Sequence, residues 1–184
     1  MHRVLKFLRR FSSERRGGVL IEVGMAAPIL VIFLISAFDT ARFVLINQKV
    51  QRTAMTAADL AARTKTMDQN DLNNLFAAAD EVSRPYAVLD SGRVIVSSVV
   101  GQQNGEVRVG WQRTGGSATS ASRVGLEGGL ADIEEPEMVD NELSVIVAEV
   151  FYNFEPIFIG MPEAQTLYHQ ATFRPRLSRL VELE

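Results

Sequence analysis

Three residues near the N-terminus have types and a spacing that can do chemistry together: Gly17, Gly18 and Glu22. A small residue lets a peptidase bring its own carboxylates close to the backbone. A cut after Gly17 would create a new ammonium on Gly18 and make Glu22 the fifth residue of the shortened chain. On a helix, residues four apart share a face. The ammonium and the carboxylate could then neutralise one another, or the matching groups of a neighbouring chain, where water is scarce. A cut after Gly18 competes with this, but it would make Glu22 the fourth residue, so Gly17 is preferred.

The elements around these residues set their context. Residues 1–17 carry six arginines and lysines against Glu14, a net charge of +5. The whole chain is −3, which leaves about −8 for residues 18–184. Between head and body, Val19 to Phe38 is nearly all apolar. As a helix this run is about 30 Å long, roughly one hydrocarbon thickness. The basic flank puts the N-terminus in the cytoplasm and the acidic body outside. Three readings of the run compete. A cleaved secretory signal has a shorter apolar core and an Ala-x-Ala-like site, which Phe38-Asp39-Thr40 does not provide. A plain membrane anchor leaves Glu22 near the interface, snorkelling outward, since a carboxylate is costly within a span. A leader cut at Gly17 accounts for the basic head, the glycine and the carboxylate together. Gly24 and Pro28 bracket one turn, because proline lacks an N–H for the carbonyl four residues back. The pair reads either as a local kink that lets the helix adapt or as a proline of the kind membrane helices tolerate.

The spacing of Gly17 and Glu22 resembles that of the type IV prepilin family. Gly17-Gly18-Val19-Leu20-Ile21-Glu22-Val23, followed by Ala27-Pro28-Ile29-Leu30, is similar to the TadE/TadF pseudopilins of tight-adherence (Flp) pilus systems. Asp39-Thr40-Ala41-Arg42, Gln48 and the alanine-rich stretch ending Ala61-Ala62-Arg63 fit the same pattern. Val23 departs from it, standing where the family often has an aromatic residue. The resemblance covers residues 15–64 and, more weakly, 143–174. It implies a minor pilin or pseudopilin of the inner membrane. Its partners would be a prepilin peptidase, other pilins and pseudopilins, the inner-membrane assembly platform and membrane lipid. Its role would lie in initiating, assembling or capping a pilus for surface attachment, and incorporation into the pilus is a further expectation. The alternative is an uncleaved single-span protein with a periplasmic partner-binding domain.

Beyond the span, Phe43, Ile46, Val50, Ala54, Ala57 and Ala61 recur at three- and four-residue steps. One spine helix over 18–64 is expected, half in lipid and half amphipathic; two helices broken near Asp39-Thr40 are the alternative. Asp68 or Asn70 can cap a second helix, with Leu72, Leu75, Phe76, Ala79 and Val82 as its apolar stripe and Pro85 as its end. The period then changes to two. Residues 93–100 and 106–113 read as a hairpin turning at Gln103-Asn104-Gly105, with Trp111 in the core. Residues 142–154 read as a central strand covered on one face by the spine, and 165–174 as a last strand. The fold class is α+β: a long N-terminal transmembrane and amphipathic helix, a second short helix and a small antiparallel sheet of about four strands. The domains are a basic cytoplasmic leader (1–17), the spine (18–64) and an extracytoplasmic head (65–184) with a flexible acidic loop over 114–142.

Little else points to chemistry. The chain has no cysteine and two histidines, so thiol catalysis, disulfides and Cys-based zinc sites are excluded. No hydrolase, metalloprotease or phosphate-loop motif is present, and His169 reads as structural. The acidic run through Asp132, Glu134, Glu135, Glu137, Asp140 and Glu142 lacks the spacing and central glycine of a calcium loop. No catalytic residue, metal or cofactor is expected. Nucleic acid is not expected as a partner, because the basic residues flank the span while the body is acidic.

Overall fold

The computed structural model describes residues 16–133, 139, 143–158, 162–177 and 181–183. Most of the basic leader lies outside the described residues, as do Glu134, Glu135, Glu137, Asp140 and Glu142 of the acidic run and Gly160 of the last connection.

The spine is a single helix, α1 (Arg16–Ala61), about 69 Å long at 1.5 Å per residue. It passes Asp39-Thr40 without a break and contains Pro28, so the one-helix expectation holds. Its outer half buries Ile46, Val50, Ala54, Ala57, Ala58 and Ala61 completely. This stripe at three- and four-residue spacing is what makes the segment a packed helix. The alanines bring the helix backbone close to strands β4 (Ser144–Phe154) and β5 (Gln165–Phe173) and to a second helix, α2 (Gln69–Ser83).

Helix α2 starts at a reciprocal cap. The Asp71 N–H donates to Asp68 Oδ1 at 2.7 Å, and the Asp68 N–H donates to Asp71 Oδ2 at 3.4 Å. Leu72, Leu75 and Ala79 face the core. At its far end Lys49 Nζ, from α1, donates to the Val82 carbonyl at 3.1 Å, which suits the negative end of the helix. A single turn, α3 (Val88–Ser91), leads into the sheet.

The sheet has four strands in the order β3-β2-β4-β5, each antiparallel to its neighbour. Strands β2 (Gly92–Gly101) and β3 (Val107–Gly115) form the expected hairpin. Gly105 takes φ +81° in its turn, a backbone region glycine enters freely. A bulge between Ser98 and Val99 shifts the register. A two-residue parallel ribbon, β1 (Thr66–Met67) with β6 (Glu182–Leu183), ties the C-terminal segment to the end of the spine. The Trp111 indole N–H donates to the Val181 carbonyl at 2.7 Å, so the tryptophan is a core residue with its polar atom satisfied.

The sheet is covered on both faces. Val94, Val96, Trp111, Ile146, Ala148 and Val150 pack towards α1 and α2. Val99, Val109, Val145 and Val147 form a second core with Val124, Ile133 and Val139 from the connection between β3 and β4. Burial on two faces explains why β4 is apolar almost throughout instead of alternating. The connection reads as flexible from its composition, but its described part is tied down. The Gly128 N–H donates to the Val109 carbonyl at 2.8 Å, Val109 N–H to Gly129 at 3.0 Å and Ala131 N–H to Val107 at 2.8 Å.

Candidate functional site: the inner half of the spine and its outer boundary

Gly17 and Gly18 lie in the first turn of α1, exposed and with open space where a side chain would be. Glu22 is one turn further on and exposed. The helix therefore sets Gly18 and Glu22 on one face. Among the described residues no hydrogen bond or ion pair holds the Glu22 carboxylate. Gly24 and Pro28 lie on the same exposed stretch, and the helix continues through both.

Among the described residues nothing covers this half. Leu20, Met25, Leu30, Phe33 and Leu34 are all at least 65% exposed, an apolar surface far beyond what a soluble monomer presents. Among the described residues α1 is the one helix long and apolar enough to cross a membrane, with a mean hydropathy of 2.5 over its most apolar window. The surroundings change at Asp39, whose side chain is fully buried. Its carboxylate accepts from the backbone N–H groups of Ile157 (3.2 Å) and Phe158 (3.1 Å) in the β4–β5 connection. One turn outward, the Arg42 guanidinium donates to the Glu155 carbonyl at 2.7 Å and lies over the Phe154 ring at 5.4 Å. Thr40 returns its hydroxyl to the Ser36 carbonyl at 2.8 Å. The boundary between exposed and packed helix is thus marked by polar groups that are hydrogen-bonded.

Residues 17–59 match the TadE-like protein family. The TadE-like segment spans both halves of the spine and ends two residues short of the helix end at Ala61. It includes Gly17, Gly18, Glu22, Gly24 and Pro28, and extends past the boundary at Asp39. This is the family of tight-adherence pilus proteins, structural and accessory in kind. The likeness of residues 143–174 lies outside the matched segment and rests on sequence pattern alone. No curated protein and no solved structure matches the chain.

Two carboxylates have roles that the sequence reading missed. Asp39 reads there as the end of the apolar run and as part of the family pattern, but its hold on the β4–β5 connection does not show, because Ile157 and Phe158 are 118 and 119 residues away. Glu149 is fully buried on the face of β4 turned away from the spine. It accepts from the Arg123 N–H at 2.8 Å, from Tyr168 Oη at 3.1 Å and from the Ser122 hydroxyl. The Arg123 guanidinium covers the Tyr168 ring at 4.0 Å. Glu149 therefore fastens the β3–β4 connection to the sheet. A lone carboxylate inside an apolar strand was its only signal.

His169 faces the spine. Its Nε2 lies 2.9 Å from Asn47 Oδ1, and burial holds the imidazole below its ordinary value. Burial likewise pushes the Tyr152 phenol up. Tyr152 lines an open polar cavity of about 420 Å³ with Arg42, Asp90, Ser117 and Glu155. Among the described residues no group of three His, Cys, Asp or Glu could hold a metal ion.

Proposed function

We propose that the protein is a minor pilin or pseudopilin, cut after Gly17 by a prepilin peptidase and required to initiate, assemble or cap a tight-adherence pilus. The observation that carries this reading is Glu22 on a bare apolar helix, one turn beyond two exposed glycines. In hydrocarbon a lone carboxylate costs about 2.5–3.5 kcal/mol near the middle of a span and less near its edge. The ammonium created on Gly18 would offset that cost, within the chain or between chains. It would also fix the axial register of neighbouring helices, since each carboxylate seeks one ammonium.

In this reading the leader is cytoplasmic, α1 crosses the inner membrane and the head is periplasmic. The apolar inner half exchanges lipid for neighbouring pilin helices on assembly. Pro28 leaves the Gly24 carbonyl without its helical partner, so the turn between them is where the helix adapts during that exchange. Partners are the peptidase, other pilins and pseudopilins, and the assembly platform.

The test is processing in the native membrane. Gly17→Val should leave the chain full-length and the cells without pili. A shortened Gly17→Val chain and normal piliation would remove the assigned site. The cavity beside Arg42 favours a second reading, an uncleaved single-span protein with a partner-binding head. Retention of residues 1–17 in piliated cells would establish that one instead.

A further inference from the structure

The β4–β5 connection has a feature that its place between two strands does not require. Ile157 and Phe158 are 56% and 60% exposed, although they are large apolar residues at a tight, hydrogen-bonded bend. They are not isolated on the surface. The Phe158 ring meets the Phe38 ring edge-on, with centroids 5.9 Å apart, and Phe38 is the last residue of the apolar run. The exposed apolar surface of the span therefore continues without interruption onto this bend of the head.

The polar groups beside the bend are layered. Phe38 and Phe158 lie at one level. Asp39 follows, fully buried, accepting from the Ile157 and Phe158 N–H groups. One turn further out, Arg42 donates to the Glu155 carbonyl. Apolar residues, satisfied backbone and then a guanidinium is the order in which a bilayer passes from acyl chains to headgroups. The carboxylate also meets a specific need. A bend entering that zone would expose its N–H groups where water is scarce, and an unpaired backbone donor there is costly.

We infer that Ile157 and Phe158 form a second membrane contact, seated in the outer boundary of the bilayer that α1 crosses and clamped to the spine by Asp39. The head is then held at two points, which fixes its tilt and rotation relative to the membrane. This rests on the reading of α1 as a membrane-spanning helix.

The absence of native cysteine makes the test direct. The full chain would carry one cysteine, labelled with an environment-sensitive fluorophore, in phosphatidylcholine vesicles at high lipid excess. Phe158→Cys reports the bend, Ile29→Cys the middle of the span and Leu126→Cys a distant exposed site. The expected result is several-fold stronger quenching at 158 than at 126 by a nitroxide near the lipid headgroup. At 29, quenching should come from a nitroxide deep in the acyl chain. Asp39→Ala should return the label at 158 to the level of 126. Quenching at 29 with none at 158 overturns the second contact and leaves the spanning helix standing. Loss of quenching at both overturns the two together. Quenching at 158 that survives Asp39→Ala overturns the clamp.

Discussion

The two halves of α1 are one helix in two solvents. Between Gly17 and Phe38 no residue is buried by the rest of the chain, whereas from Asp39 to Ala61 one face is sealed against the sheet and α2. The inner half is apolar all round apart from Glu22, whereas the outer half is amphipathic, with Arg42, Lys49, Arg52 and Asp59 set against its buried stripe. The apolar side chains differ as well. The inner half carries large residues, Leu20, Ile29, Leu30 and Phe33, suited to lipid or to a neighbouring helix. The buried stripe of the outer half is mostly alanine and valine, suited to close approach of fixed backbone. In the proposed function the inner half meets partners that change, whereas the outer half keeps the sheet and α2.

The largest expected effect lies in the inner half. Glu22→Gln should leave the head folded, with Trp111 fluorescence unchanged, and lower the assembled fraction at least about tenfold, the equivalent of 1.4 kcal/mol. Unchanged piliation would remove the charge-pairing role. A matched pair of substitutions follows. Ala57→Phe overfills the packed face and should cost the head about 1–3 kcal/mol, read as a lower thermal midpoint in detergent. Ile29→Phe should leave that midpoint in place. Equal losses from both would mean that the inner half packs on its own head.

Asp39→Ala tests the boundary itself. It takes the acceptor from two backbone N–H groups at a buried site, which should cost about 1–3 kcal/mol. The loss should appear as faster amide exchange at Ile157 and Phe158, with the strands protected as before. The smallest effect comes from pH. Burial depresses the His169 imidazole, so the unfolded chain binds the proton more readily than the folded one. The neutral form is therefore favoured in the fold. Its contribution is complete above the unfolded value of about 6.5 and is lost as pH falls through the lower folded value. Mild acidification should loosen β5 from the spine at the Asn47 contact and leave the inner half untouched. His169→Gln should flatten that pH dependence of the thermal midpoint.

Much of this contrast was legible in the sequence because it is local. The apolar run, the stripe from Ile46 to Ala61, the Asp68 cap and the turn at Asn104-Gly105 each declare themselves within a few residues. The cover over the outer face of the sheet did not. Its packing residues, Val124, Ile133 and Val139, are scattered through a Gly- and Ser-rich stretch without a period. Strands β1 and β6 are two residues each, too short to carry a pattern. Asp39 and Glu149 were hidden for a different reason. Each is a single carboxylate beside or inside an apolar run, and the backbone N–H groups it accepts from, Ile157 and Phe158 for Asp39 and Arg123 for Glu149, arrive from far along the chain.

The central claim is that a cut after Gly17 creates the charge that Glu22 answers. Intact mass and N-terminal sequencing of the protein extracted from its native membrane test it most directly. The expected chain begins at Gly18 and reverts to full length when the peptidase is removed. A chain that retains Met1 in peptidase-containing, piliated cells would contradict the account.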